Sequence, residues 1–206
     1  MTETPGRSCP VAYRTGPEEL ATQSPRTAET LYVIGGLYGN RQALDDVEEL
    51  AAREEAKGLP RPTLVFNGDF NWFNAEAAAM EEINDRVLAH AALQGNVETE
   101  LADPEPGAGC GCAYPEWVDS AMVERSNQIM ERLKGVVEAR PGLRDQLRAL
   151  PRQLRFLVGD CRIGVIHGDP ESLAGWGLAV EAMPDPGQGD ATIEGWFERA
   201  AVDAFA

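Results

Sequence analysis

Four short apolar runs, each ending beside a glycine and a polar residue, constrain the fold of this chain more than any other feature. The runs are rich in residues that favour strands, and glycine marks where a strand stops. They lie at residues 31–34, 63–66, 91–94 and 162–166, and the pairs that follow them are Gly39-Asn40, Gly68-Asp69, Gly95-Asn96 and Gly168-Asp169. Helical periodicity separates the first three runs. This alternation predicts a parallel sheet with crossover helices, and therefore an α/β fold.

The rest of the chain is assigned from the same periodicities. We predict helices at residues 43–51, 75–89, 117–138, 143–150, 171–181 and 192–199, a hairpin joining residues 155–158 to 162–166, and a strand at 201–205. Residues 1–28 are rich in Thr, Ser, Pro and charged residues, and we expect an N-terminal tail there. Residues 29–206 then form one domain, with a helical insertion at about residues 101–153.

Polar side chains follow three of the predicted strands. In an open α/β sheet the loops beyond the carboxyl ends of the strands gather along one edge, so we expect Asp69, Asn96 and His167 to converge. A carboxylate, an amide oxygen and an imidazole suit Mn²⁺, Fe²⁺ or Zn²⁺ better than Ca²⁺. Each residue also has a simpler interpretation: a helix cap for Asp69, a turn residue for Asn96 and a hydrogen-bonded strand end for His167.

The net charge of -16 bears on the partners of the chain. Phosphate backbones and anionic membranes attract basic surfaces, so this charge argues against nucleic acid or a membrane as the main partner. No stretch is long and apolar enough to cross a bilayer, and no secretory signal precedes Ser8. We therefore expect a soluble cytoplasmic protein.

The order of the glycine motifs resembles that of the calcineurin-like metallophosphoesterases over roughly residues 31–169, apart from residues 100–154. The segment from Gly36 to Asn40 is similar to the D-x-H-G-N motif of that family, Gly68-Asp69 to its G-D motif, Gly95-Asn96 to its G-N-H-E/D motif, and His167-Gly168 to its strand that ends in H-G. The resemblance implies a four-layer α/β/β/α sandwich with a two-metal site that activates water for attack on phosphorus. It matches Asp69 to the bridging carboxylate, Asn96 and His167 to ligands of the second metal, and Asn40 to a structural asparagine.

The chain departs from the family pattern at several ligand positions. Gly36 replaces the first aspartate, Tyr38 replaces the following histidine, and Val97 replaces the histidine beside the G-N asparagine. The final G-H-x-H motif has no counterpart before Ala206, so we expect the chain to be a fragment or to function without it. Three ligands can hold one metal and leave a position open. We therefore expect one or two divalent ions (Mn, Fe or Zn), with a mononuclear site favoured; Asn71 and Asp169 are candidate replacement ligands.

Two main functions follow from the sequence. One is a metal-dependent phosphoester hydrolase, either a phosphomonoesterase or a phosphodiesterase, that acts on a phosphorylated small molecule or a phosphoprotein. In it Asp69, Asn96 and His167 are both metal ligands and catalytic residues. The other is an inactive protein of the same fold that binds a phosphorylated ligand or a protein partner.

Several other residues have two interpretations. A third, thiol-based function would use Cys110 and Cys112 as a redox pair or soft-metal site, although a tight loop with two small apolar side chains is the favoured interpretation. Glu98 and Glu100 could act as acids or bases, although in so acidic a chain solvated surface residues are the favoured interpretation. Four aromatic residues near the motifs could line a pocket, although packing is favoured for them: Phe70, Trp72, Phe73 and Trp176.

Overall fold

A computed structural model describes residues 4–185 and 187–206 and shows a mixed α/β fold with two sheets. A short 3₁₀ helix at Val11–Tyr13 precedes α1 (Pro17–Thr22), β1 (Arg26–Ala28), β2 (Leu31–Ile34), α2 (Arg41–Ala56), β3 (Thr63–Asn67), α3 (Ala77–Val87), β4 (Ala91–Leu93) and α4 (Asn96–Ala102). The chain continues through α5 (Ser120–Glu138), α6 (Pro141–Arg148), β5 (Gln153–Val158), β6 (Cys161–Ile166), α7 (Ala191–Ala200) and β7 (Ala204–Phe205).

The first sheet has the order β2-β3-β4, and all three strands are parallel. Its strands and both crossover helices lie where the sequence periodicity predicts them. Alternation along β3 gives the sheet two apolar faces: Leu64 and Phe66 pack with the helices, while Val65 points the other way. The helix side buries Leu44 and Ala51 of α2 and Met80, Ile83 and Val87 of α3.

The second sheet has the order β1-β5-β6-β7 and is mixed. β5 and β6 form the predicted antiparallel hairpin, and β1 and β7 pair with it in parallel. The predicted final strand is shorter than expected, because Ala201 ends α7 in a left-handed conformation and pairing begins only at Ala204.

The N-terminal segment is part of this second sheet, so its interpretation as a tail is wrong. β1 pairs with β5, and Leu20 of α1 is fully buried against Ile166 and Ala200. Residues 1–3 of the predicted tail, like residue 186, lie outside the described part of the chain. The composition of the segment concealed a six-residue helix and a three-residue strand, which are too short for a periodicity to be visible.

The two sheets pack against each other through their inner faces. One apolar cluster combines Val65 and Leu93 of the first sheet with Ala28, Leu154, Phe156 and Val165 of the second. On the outer face of the second sheet, α1 and α7 cover Ile166. The carboxyl ends of β3, β4 and β6 therefore meet where the two sheets adjoin.

The insertion packs on the helix side of the first sheet. Met130, Leu133 and Val137 of α5 and Leu147 of α6 belong to the same apolar cluster as α2 and α3. The loop before α5 returns towards the ends of β4 and β6, so the insertion contributes to the pocket described below.

The predicted helix at residues 171–181 does not form; turns replace it. Both carboxylate oxygens of Asp169 accept backbone N–H groups from this segment, those of Glu171, Ser172 and Gly177. A side chain that binds these donors competes with helical hydrogen bonding and stabilises a compact loop. In the described part of the chain no helix is long and apolar enough to span a membrane.

Candidate functional site

The structure brings Asp69, Asn96 and His167 together at the carboxyl ends of β3, β4 and β6. His167 Nε2 lies 3.3 Å from Asn96 Oδ1 and 3.5 Å from Asp69 Oδ1. The three residues are separated by up to 98 positions, and only the packing of the two sheets places them in one group.

Asn67 connects the two sheets at this point. Its side-chain amide donates to the carbonyl of Ile166 at 2.8 Å, and its own carbonyl lies 2.8 Å from His167 Nδ1. Because a carbonyl can only accept, Nδ1 carries the proton. Nε2 is therefore the ring nitrogen directed at Asp69 and Asn96. A backbone carbonyl on one imidazole nitrogen commonly fixes the other for a metal ion.

The environment of His167 favours positive charge. Burial alone would lower its pKa, but the nearby Asp69 carboxylate and the Asn67 carbonyl raise the pKa of His167 to about 9. Without a cation between them, His167 and Asp69 therefore form an ion pair near neutral pH. The same arrangement offers one nitrogen and two oxygens to a metal ion.

Glu98 holds the loops after β3 and β4 together. Its carboxylate accepts the backbone N–H groups of Asp69 at 2.6 Å, Gly95 at 3.1 Å and Asn71 at 3.1 Å. Burial and the Asp69 carboxylate raise the pKa of Glu98 to about 7, while the N–H donors act in the opposite direction. Glu98 is fully buried, so its interpretation as a solvated surface residue is wrong.

Glu100 is also fully buried, on another side of α4, and was likewise wrongly interpreted as solvated. It accepts the Tyr13 hydroxyl at 2.5 Å and pairs with Lys134 at 3.0 Å. These contacts connect the N-terminal segment and α5 to α4. A single sequence cannot separate such acids from the many exposed ones, because burial depends on partners that lie far away in the chain.

Two glycines allow the β3 and β4 loops to approach each other. Gly68 has φ +70°, and a Cβ on it would collide with the backbone of Gly95; a Cβ on Gly95 would collide with the Asp69 carboxylate. Asp69 itself has φ 54°, in the left-handed region. Its carboxylate accepts the Val97 N–H at 3.1 Å, which fixes the direction of the side chain.

The loop after β2 contributes no metal-binding side chain to this group. Gly36 has φ +33°, and a Cβ on it would lie 2.5 Å from Tyr38 Cζ, so the Tyr38 ring occupies the space beside Gly36. Asn40 has the structural role that the family resemblance implies, because its side chain accepts the Ala43 N–H at 3.0 Å and caps α2.

The two candidate replacement ligands have structural roles instead, so that hypothesis is wrong. Asn71 is fully buried and bonds Glu98 and Asn84. The carboxylate oxygens of Asp169 are used by the loop that it organises. Neither residue lines the pocket above Asp69 and His167.

A pocket of about 250 Å³ opens over the three polar residues. Aromatic side chains form much of its wall: Tyr38, Trp72, Tyr114 and Trp176. Trp72 and Trp176 therefore line the pocket, whereas Phe70 is fully buried in the core. Exposed aromatic rings extend the wall outwards, with Phe73 against Tyr38 and Trp117 against Trp176. No lysine or arginine is among the lining residues, so His167 is the cationic side chain of this pocket.

Cys110 and Cys112 form a disulfide in the loop before α5. The predicted tight loop is present, with Gly109, Gly111 and Ala113 at positive φ. Both cysteine side chains pack in the apolar cluster of the first sheet, as the favoured interpretation expects, but they are also linked to each other, which only the redox-pair interpretation includes. Cys112 lines the pocket, and its carbonyl accepts the Trp176 indole N–H at 3.0 Å.

The donor set fits one metal ion and does not fit two. In the described part of the chain no three His, Cys, Asp or Glu side chains cluster as a metal site. The candidate set reaches three ligands only through the amide oxygen of Asn96, beside Asp69 and His167. The positions that would complete a second site are Gly36 and Tyr38, which contribute a glycine and a phenol.

Comparison with protein-family models and with curated proteins found no match. Among solved structures, the chain is similar to hypothetical protein PH1004 from Pyrococcus horikoshii OT3, with a TM-score of 0.54 and 16% sequence identity. The similarity covers 87% of this chain and 68% of that protein. At this level of identity the likeness supports the α/β fold and carries no information about activity.

Proposed function

We propose that this chain is a metal-dependent phosphoester hydrolase of the calcineurin-like type, with a single divalent ion held by Asp69, Asn96 and His167. The observation that carries the proposal is the His167 ring: its Nδ1 proton is held by the Asn67 carbonyl, and its Nε2 faces the oxygens of Asn96 and Asp69. Clusters on both faces of each sheet further support the four-layer α/β/β/α arrangement of that family.

A bound divalent ion would polarise a phosphoryl oxygen and lower the pKa of water in the pocket. The chain supplies the surroundings for that chemistry. Asp69 provides negative charge that holds the ion, and the Val97 N–H keeps its carboxylate in place. Burial and the Asp69 carboxylate raise the pKa of Tyr38, so its hydroxyl remains protonated and can donate to a phosphoryl oxygen.

The substrate class that fits is a phosphorylated small molecule or a phosphoprotein. No lysine or arginine lines the pocket in the described part of the chain, so a phosphate group would depend on the bound metal ion for positive charge. Removal of Asp69 or His167, which would hold that ion, should therefore weaken binding as well as turnover.

The proposal is tested by elemental analysis of protein purified without chelator. We expect about one equivalent of Mn, Fe or Zn, with loss of the metal and of hydrolysis of p-nitrophenyl phosphate and bis-p-nitrophenyl phosphate in Asp69→Ala and His167→Ala. The rate of hydrolysis should fall by more than the roughly 10–100-fold that is typical when a residue supporting a metal ligand is removed. Asp46→Ala, an exposed helix position, and His90→Gln, the other histidine, serve as matched controls.

A second function is favoured by the loop after β2, where Gly36 and Tyr38 stand at the positions of two metal ligands in the family that the chain resembles. In that case the chain is an inactive member that binds a phosphorylated ligand or a protein partner. No metal after reconstitution with Mn²⁺, Fe²⁺ and Zn²⁺, together with phosphate-ester binding that persists in EDTA, would establish this alternative and overturn the hydrolase.

A further inference from the structure

We infer that Cys112 is a redox-controlled fourth ligand of the metal ion, available only when the Cys110–Cys112 disulfide is reduced. The inference rests on the proposed function, because it adds a ligand to the Asp69, Asn96 and His167 site. It assigns a chemical role to the disulfide, which the proposed hydrolase mechanism does not use.

The disulfide is poorly suited to a purely stabilising role. It links cysteines two positions apart, and a cross-link that closes so short a loop removes little conformational freedom from the unfolded chain. The other two cysteines, Cys9 and Cys161, are exposed and unlinked. The chain thus places its single described disulfide beside the candidate site instead of between distant segments.

The two sulfur atoms have different surroundings. Cys110 is fully buried in the apolar cluster of the first sheet. Cys112 is only partly buried at the edge of the same cluster and also lines the pocket together with Asp69, Asn96 and His167. Reduction would therefore release one thiol into the core and one at the pocket wall. Only Cys112 is positioned to meet a metal ion there.

Asn96 connects Cys112 to the other ligands. Its amide nitrogen donates to the Cys110 carbonyl at 3.1 Å and lies 3.8 Å from Cys112 Sγ, while its amide oxygen faces His167 Nε2. The Cys112 sulfur thus lies one amide group away from the candidate metal position. Rotation about the Cα–Cβ bond of Cys112, which the intact disulfide prevents, is the movement that would bring the thiol closer.

The loop is held by bonds that do not involve sulfur. The Cys110 N–H donates to Asn127 Oδ1 at 2.9 Å, and the Cys112 carbonyl accepts the Trp176 indole N–H at 3.0 Å. The Tyr114 N–H donates to the Gly6 carbonyl at 2.9 Å. Reduction therefore frees the two side chains while the backbone around them keeps its contacts.

The chemistry balances with a dithiol as the reductant. The dithiol gives two electrons and two protons, its own sulfur atoms become a disulfide, the S–S bond between Cys110 and Cys112 breaks, and each cysteine becomes a thiol. When the Cys112 thiol binds the metal ion, its proton passes to solvent. One thiolate, one imidazole and two oxygens form a four-ligand set that suits Zn²⁺ better than Mn²⁺.

The test uses Co²⁺ as a spectroscopic probe, in a Cys9→Ser/Cys161→Ser background. One sample is reduced with a dithiol and desalted without oxygen, and the other is left oxidised. Thiol titration should give two free thiols in the reduced form and none in the oxidised form. We expect reduction to raise Co²⁺ affinity at least tenfold and to produce a thiolate-to-cobalt charge-transfer band. Cys110→Ser cannot form the disulfide and should show the charge-transfer band without reductant. Cys112→Ser should show neither the rise in Co²⁺ affinity on reduction nor the band.

Three outcomes would overturn the inference: equal Co²⁺ affinity in both forms, absence of the band in Cys110→Ser, or persistence of the band when Asp69 and His167 are both replaced by alanine. The last result would indicate a separate thiol site. If Co²⁺ binds in a manner that needs Asp69 and His167 but gives no thiolate band, the proposed hydrolase site stands and only the role of Cys112 falls. If Co²⁺ binds in neither form, both proposals fail.

Discussion

The loop after β2 and the loops after β3, β4 and β6 lie at the same edge of the molecule, yet they are built in opposite ways. The loops after β3, β4 and β6 carry Asp69, Asn96 and His167, and hydrogen bonds of Glu98 and Asn67 connect these loops to one another. The β2 loop presents Gly36, with an aromatic ring folded beside it. This edge therefore has a polar half, formed by the three loops, and an apolar half, formed by the Tyr38 ring beside Gly36, and each half is held by its own contacts.

The largest expected effect tests the support of the polar half. Both carboxylate oxygens of Glu98 accept hydrogen bonds from backbone N–H groups. In Glu98→Gln an NH₂ group replaces one of these oxygens, so in either orientation of the amide a donor faces a donor. Loss of charge-assisted bonds in a buried site should lower the free energy of unfolding by about 3–4 kcal/mol. Urea unfolding in EDTA measures this, with the exposed Glu116→Gln as the control. A loss as small as in the control would show that the loops hold together without Glu98.

A comparable effect should come from the charge on His167 in chelator-treated protein. Its folded pKa, about 9, lies above the ordinary histidine value of about 6.5, so the protonated ring stabilises the fold below the ordinary value and this stabilisation is lost as pH rises through about 9. At about 1.4 kcal/mol for each pH unit between the two pKa values, the loss amounts to about 3.5 kcal/mol.

The measurement is NMR titration of the two histidines together with urea unfolding across the same pH range. Asp69→Asn should lower the pKa of His167, because the carboxylate that opposes the effect of burial is removed. His167→Gln should remove the pH dependence. A pKa of His167 that is unchanged in Asp69→Asn would mean that Asp69 does not govern the charge of the polar half.

The smallest effect concerns the apolar half. Gly36→Ala places a Cβ against the Tyr38 ring at a left-handed φ, which should cost about 1–2 kcal/mol of stability. Combining it with Tyr38→Ala removes the contact with the ring but leaves the backbone strain. A double-mutant cycle in urea should therefore give a coupling energy of about 0.5–1 kcal/mol between the two positions. If the stability changes of the two substitutions are purely additive, a clash with the Tyr38 ring is not the reason why glycine stands at position 36.

The α/β class, most of the helices and strands, and the positions of Asp69, Asn96 and His167 at strand ends could be predicted from the sequence. Period-two and period-3.6 patterns are local, and the carboxyl ends of parallel strands in one sheet gather at one edge, which places Asp69 near Asn96. His167 follows a strand of the second sheet, and the packing of the two sheets brings it to the other two residues. The segments that were predicted wrongly lack such patterns. α1 and β1 are too short for a visible periodicity, and residues 171–181 follow the side chain of Asp169 instead of their own helical composition.

The burial of the acidic residues, the link between the two cysteines and the aromatic residues that face the pocket depend on how distant segments pack together. Glu98 and Glu100 stand two positions apart in one helix, yet one binds the backbone of the site loops and the other binds Tyr13 and Lys134. The partners of these side chains come from segments tens of residues away. Burial and pairing are properties of that packing, because the free energy of a buried charge depends on the groups that surround it and not on its neighbours in the chain.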